Sequence, residues 1–330
     1  MKMLKKIVSV LLTAVLGCCL VCSCNNEQQT GDDELIVVGV SQVGAESDWR
    51  IANTESINYV FTEENGYRLL FDDAKQMQDN QLSAVRKYIQ QKVDYIVIMP
   101  IAEEGWDAVL QEAKDAGIPV IIVDRMVNVS DDDLFTAHVG ADFYLEGQKA
   151  TEWMEDEFAE DDAVNIIHLQ GTLGSTAQIG RTQALEDALA VHDNWNLLAQ
   201  FDCDFTQAKA YELIRDYIIN SDIRPEIDVV YCENDNMAFG AIEALEKYGY
   251  TCGEGGVAVI SFDATKQGLE VCMEGKISLD VECNPMLGPL VENVIETIEA
   301  GGVPEKYQYV EETVFTPDML TQELIDSRDY

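Results

Sequence analysis

From Leu35 onward the chain alternates short apolar runs with longer stretches in which apolar residues recur at helical spacing. The runs read LIVVGVS, YRLLFD, VDYIVIMP, IPVIIVD, VNIIHLQ, LLAQFD, DVVYCE, VAVISFD and SLDVE. Continuous Val/Ile/Leu runs predict strands buried on both faces, and hence parallel sheets covered by helices. DNQLSAVRKYIQQ, WDAVLQEAKDAG and NMAFGAIEALEKYG carry the helical pattern between them, and Gly117 before Ile118 and Pro119 marks a helix stop ahead of a strand start. The string of strands is too long for one doubly wound sheet. It divides near Ala137–Gly140 into two βα series of similar plan. In open α/β sheets ligands sit outside the carboxyl ends of the strands, so two such sheets facing each other predict a cleft.

The residues that follow the apolar runs carry the chemistry. Glu46, Ser47, Asp48, Trp49 and Arg50 come after the first strand, within SQVGAESDWR. Asp124 and Arg125 follow IPVIIV, Arg181 lies in GSTAQIGRTQAL, Asn234 follows VVYCE, Asp263 ends VAVISFD, and Glu282 follows SLDV. Singly, an Asp or Asn at such a junction is an N-cap and an Arg beside an Asp is an ordinary ion pair. Together they place carboxylate, amide and guanidinium groups, each able to take two adjacent hydroxyls, on one edge of both sheets. Trp49 adds an apolar face for the C–H side of a sugar ring.

Composition is that of a globular protein, with 47% hydrophobic and 25% charged residues over 330 positions. The formal charge of -40 argues against nucleic acid or an anionic membrane surface as partner and favours neutral or cationic small ligands. MKMLKK followed by IVSVLLTAVLG is a basic segment and an apolar stretch too short for an ordinary membrane anchor. It ends in LVCSC, which resembles a bacterial lipoprotein box with Cys24 as the lipidated residue, although Cys22 is an unusual occupant. Residues 1–23 are thus expected to be a lipoprotein signal peptide and 24–34 a polar tether. Cysteines 203, 232, 252, 272 and 283 remain, an odd number without metal-like spacing, and are expected to be buried free thiols.

The segments VGVSQVGAESDWR, IVIMPIAEEGWDAVLQEAKDAGIPVIIVDR, HLQGTLGSTAQIGR, YCENDNMAFGAI and VISFDAT resemble the bacterial periplasmic sugar-binding proteins of the ribose/galactose-binding type that serve ABC importers, the galactofuranose binders most of all. The resemblance runs from about Leu35 to Leu320. It implies a periplasmic binding protein type I fold, α/β, with two Rossmann-like lobes whose parallel sheets are joined by a three-crossover hinge. Lobe 1 would comprise 35–137 plus 284–311, and lobe 2 138–283 plus 312–330. It implies a neutral monosaccharide as ligand, an ABC transporter permease as partner and no cofactor or metal, with Glu46, Ser47, Asp48, Trp49, Arg50, Asp124, Arg125, Arg181, Asn234 and Asp263 as the contacts. Asp48 departs from the small residue expected there and adds a charge near the sugar. Glu282 is set aside, because related binders vary at that position.

Three other readings share some of these features. Glu46, Asp124, Asp263 and Glu282 suggest a glycosidase pair, but among 61 acidic residues a pair means little. No G-x-S-x-G, H-E-x-x-H, P-loop or G-x-G-x-x-G motif is present, GVSQVG from Gly39 misses the first, and His168 on an apolar strand reads as core. A lactose-repressor-type regulator would need a basic helix-turn-helix where the export signal stands. A sensing role, presenting the loaded protein to a membrane sensor kinase instead of a permease, uses the same site.

Overall fold

The computed structural model describes residues 35–330; the expected signal peptide (1–23), the expected tether (24–34) and the lipidation expected at Cys24 lie outside the described residues. Two six-stranded sheets organise the chain. The first takes β1 (Ile36–Gln42), β2 (Tyr67–Asp73), β3 (Tyr95–Ile98), β4 (Val120–Val123), β5 (Ala137–Gly140) and β11 (Tyr307–Tyr309), in the order β11-β5-β4-β3-β1-β2, all parallel. The second takes β6 (Val164–Gln170), β7 (Trp195–Asp202), β8 (Val229–Cys232), β9 (Ala258–Asp263), β10 (Leu279–Glu282) and β12 (Val314–Phe315). Its order is β12-β10-β9-β8-β6-β7, and only β12 runs antiparallel.

Ten helices connect these strands among the described residues. They are α1 (Asp48–Val60), α2 (Gln78–Gln91), α3 (Asp107–Asp115), α4 (Phe143–Glu157), α5 (Thr176–Val191), α6 (Gln207–Asn220), α7 (Asp235–Lys247), α8 (Lys266–Met273), α9 (Gly288–Glu299) and α10 (Gln322–Asp326). Each sheet is buried on both faces, as its continuous apolar runs require. On the first, Val38, Val40 and Val97 pack with Ile57 of α1 and Val291 of α9, while Ile96, Ile98 and Ile122 pack with Tyr88 of α2 and Val109 of α3. On the second, Ile167, Val230 and Val259 meet α6 and α7, while Ile166, Val229 and Ile260 meet α4 and α5.

The strand AHVG lies fully buried between β4 and β11. His138–Gly140 therefore belong to the first sheet, and the first crossing falls after Gly140, three residues beyond the boundary expected at 137/138. The run is too short and too weakly apolar to announce itself, and only pairing on both sides makes it a strand. The second crossing lies between β10 and α9, and the third between β11 and β12. Each sheet with its helices is a lobe, joined to the other by these three passages.

Candidate functional site

The carboxyl ends of the strands meet across the space between the lobes. A small cavity there is lined by Glu46, Ser47, Trp49, Arg50, Asp124, Arg125, Phe143, Ala177, Arg181, Phe205, Asn234, Asp263 and Cys283. Nine of the ten residues that the family resemblance implies as contacts line this cavity.

On the first lobe, helix α1 begins directly after the β1 loop because Ser47 caps it, its hydroxyl accepting from Arg50 N at 3.2 Å. Arg50 thereby faces the cavity. Its Nη2 donates to Asp124 Oδ2 at 2.6 Å and its Nε to Glu46 Oε1 at 3.3 Å. Arg125 Nη2 donates to the same Glu46 oxygen at 2.5 Å, so two guanidinium groups are bracketed by two carboxylates. Burial alone would depress both arginines. For Arg50 the carboxylates of Asp124 and Glu46 more than offset it, whereas Arg125, which also faces Arg50, stays lowered. Arg50 Nη1 and Arg125 Nε are buried without a protein acceptor. Leaving such donors unpaired costs about 1–3 kcal/mol each, so they call for an acceptor from a ligand. Asp124 holds a left-handed φ of 63°. Its carbonyl lies where a Cβ at residue 140 would come within 2.5 Å, which is why glycine ends β5.

On the second lobe Arg181, from α5, is 2% exposed. Its Nε donates to Glu146 Oε2 at 2.7 Å, its Nη1 donates to the carbonyl of Glu233, and Nη2 stands 3.8 Å from Asp263 Oδ1. Burial would lower this guanidinium, yet Glu146, with Cys283 and Asp263, holds it well above its ordinary value. Burial pushes the Asp263 carboxyl well above the usual carboxylate range, against the pull of Arg181. Asp263 is not the cap of the helix that follows: Thr265 is, its hydroxyl accepting from Gly268 N at 3.0 Å. Asn234 is a cap, accepting from Met237 N at 2.9 Å while its amide donates to Phe205 O at 3.2 Å, so it lines the cavity with one donor and one lone pair left over.

Three aromatic walls close the space. Trp49 is fixed by its indole N–H, which donates to the Cys283 carbonyl at 2.6 Å. Phe205 follows β7 and faces Arg125, whose guanidinium carbon lies 5.0 Å from the ring centre. It reaches that position only because residue 171 is glycine, where a Cβ would fall 1.9 Å from the ring. Phe143 opens α4 beside Arg181. Phe143 and Phe205 were not among the expected residues, although Phe205, three residues past the end of LLAQFD, falls under the same strand-end pattern.

Asp48 does not line the cavity. It is exposed at the rim, where its backbone N–H donates to Asn236 Oδ1 at 3.0 Å and its Oδ2 accepts from Asn236 Nδ2 at 2.9 Å. Unlike Trp49 and Arg50, the first residue of α1 is thus engaged by the opposite lobe at the rim. Glu282 is turned away as well, accepting from Arg328 and from Thr313 N.

Among the described residues one set of side chains, Glu146, Cys283 and Glu312, brings its ligand atoms within 4.8 Å of one another. Arg181, bonded to Glu146, opposes a cation there. Burial, then Glu146, raises the Glu312 carboxyl to about 10, so a proton on Glu312 accounts for the close approach of the two carboxyl groups. The five cysteines of the described chain are free and buried. No described helix is long and apolar enough to cross a membrane.

A family model for the periplasmic binding protein domain matches residues 38–282. The galactofuranose-binding protein YtfQ of Escherichia coli is 35% identical over 290 residues, 88% of this chain and 90% of its own length. A structure from Mycobacterium smegmatis in complex with β-D-fucofuranose is 38% identical at a TM-score of 0.81, covering 86% of this chain and 92% of that one. The periplasmic component of the arabinose ABC transporter from Shewanella sp. ANA-3, bound to α- and β-L-arabinofuranose, is 34% identical at a TM-score of 0.82, covering 89% and 95%. These relatives are named for binding and not for a reaction. With its two-sheet fold and its polar cavity at the strand ends, the chain belongs to the periplasmic binding protein family.

Proposed function

We propose that the chain is an extracytoplasmic binding protein that takes one neutral monosaccharide, in furanose form, between its lobes and delivers it to an ABC importer. The observation that carries this reading is the pairing of buried, unsatisfied guanidinium donors with aromatic walls in one small cavity. Arg50 and Arg125 supply fixed donors, Glu46, Asp124 and Asp263 supply carboxyl oxygens, and Trp49, Phe143 and Phe205 cover the ring's C–H faces. The space is enclosed by three aromatic rings and by charged groups of both lobes, which favours a single sugar over a disaccharide. The guanidinium charges are already matched by Glu46, Asp124 and Glu146, so a charged sugar would gain little there. The relatives named for galactofuranose, fucofuranose and arabinofuranose support the ring form. Lipidation at Cys24 would keep the protein at the membrane that holds the importer.

Calorimetry with arabinose, galactose, fucose, ribose and fructose, together with methyl furanosides that lock the ring, tests the proposal. Saturable binding of a furanose with one site per chain is expected, and the sugar is recovered unchanged. Failure of every sugar to bind, or recovery of an altered one, would overturn it.

A further inference from the structure

We infer that Asp48 and Asn236 form a latch across the mouth of the cleft, which sets how long the lobes stay closed on a bound sugar without touching that sugar. Asp48 is the first residue of α1 on the first lobe, and Asn236 lies in the first turn of α7 on the second. Their two hydrogen bonds are reciprocal, 3.0 Å from the Asp48 amide to Asn236 Oδ1 and 2.9 Å from Asn236 Nδ2 to Asp48 Oδ2. Among the described residues the second of these is the one side chain–side chain hydrogen bond between the lobes. Further cross-lobe bonds, Glu103 N to Gly174 O at 2.9 Å and Met126 N to Thr176 Oγ1 at 2.8 Å, rest on backbone amides.

The placement has a physical reason. The first amides of a helix have no partner within it, and Ser47 satisfies only that of Arg50. The Asp48 amide is therefore capped from the opposite lobe. Two helix N-termini, each with partial positive charge, also approach one another at this point, and the Asp48 carboxylate lies between them. Separation of the lobes returns the amide, the carboxylate and the Asn236 amide group to water. The residues beside the latch, Ser47 on one lobe and Asn234 on the other, line the cavity, so the latch closes over its edge. Since apparent affinity scales with the fraction of molecules in the binding-competent state, a contact that favours closure acts on every ligand alike.

This inference rests on the proposed sugar-binding role, and its test separates the two. L-arabinose and D-galactose binding is followed by stopped-flow fluorescence for the wild type, Asp48→Ala, Asn236→Ala and the double variant. Asn236→Ala, which removes both bonds, is expected to raise the dissociation rate about three- to tenfold, Asp48→Ala, which keeps the backbone bond, by less, and the double variant no more than Asn236→Ala. The association rate should stay within about twofold, and the factor should be the same for both sugars. Unequal factors for the two sugars would place Asp48 in contact with the ligand and overturn the latch, as would unchanged dissociation or additive single effects. If the wild type binds neither sugar, the binding proposal has failed and the latch is read from small-angle scattering of the protein alone. A larger radius of gyration in both single variants then supports it, and identical radii overturn it.

Discussion

The indole N–H of Trp49 donates to the carbonyl oxygen of Cys283 at 2.6 Å, which fastens an aromatic wall of the first lobe to the second passage between the lobes. The wall and the hinge are thus one mechanical unit, and the effects of losing each can be separated. Trp49→Ala removes both and should weaken sugar binding by roughly 1.5–3 kcal/mol, whereas Trp49→Phe keeps an aromatic face and should lose only the anchoring bond, about 0.5–1.5 kcal/mol. Calorimetry on the two variants checks the order. Equal losses would mean that the ring's area contributes nothing.

Asp263 stands in the cavity 3.8 Å from Arg181, and its burial favours the neutral acid. A carboxylic acid donates and accepts, and so does an asparagine side chain. Asp263→Asn should therefore hold sugar affinity within about threefold of the wild type near neutrality, while Asp263→Ala should lose more than about tenfold. If asparagine proves as poor as alanine, the charged form is the one that binds.

Glu312 gives a pH dependence with a definite sign. Its carboxyl rises from 4.5 to about 10 on folding, through burial and then the neighbouring Glu146. Arg181, bonded to Glu146, and the Asn284 amide, 3.0 Å from Glu312 Oε1, work the other way. Below the lower value both folded and unfolded chains carry the proton. Between the two values only the folded chain does, so this contribution to stability is lost as pH rises through that window. Glu312→Gln mimics the protonated side chain and does not titrate. Melting curves from pH 5 to 9 should show the variant gaining on the wild type at each step upward, and parallel curves would count against the proton on Glu312.

Cys203, Cys232, Cys252, Cys272 and Cys283 are buried, and burial raises each thiol, Cys203 and Cys252 to about 12. The thiolate is the reactive form. Ellman's reagent at pH 8 should find none of the five in the folded protein and all five after guanidinium denaturation. Rapid labelling of native protein would contradict the packing around them.

The strand-end pattern led to the site because the parallel sheets put every βα junction on one edge, so polar residues far apart in the chain converge there. Arg50, Asp124, Arg181 and Asp263 were legible for that reason. Asp48 was not, because a residue at the first position of a helix can face the cavity or the rim, and only the approach of Asn236 from the other lobe decides which. Glu146 and Glu233, which hold Arg181, lie inside a helix pattern and at the end of VVYCE, with nothing in their spacing to mark them as partners. Strands β5, β11 and β12 were invisible for a related reason: two to four residues become a strand only through the neighbours they pair with.

Those short strands bear on how the chain comes to fold. Tyr307–Tyr309 complete the first sheet against His138–Gly140, and Val314–Phe315 complete the second against Asp280–Val281. Until the C-terminal segment has been synthesised, β5 and β10 are open edges able to pair with another chain. Contacts this distant in sequence close late and slowly. A nascent or truncated chain ending before Tyr307 therefore lacks the outer strand of both sheets, and its aggregation, more than its loss of ligand, should be the first sign of the missing end.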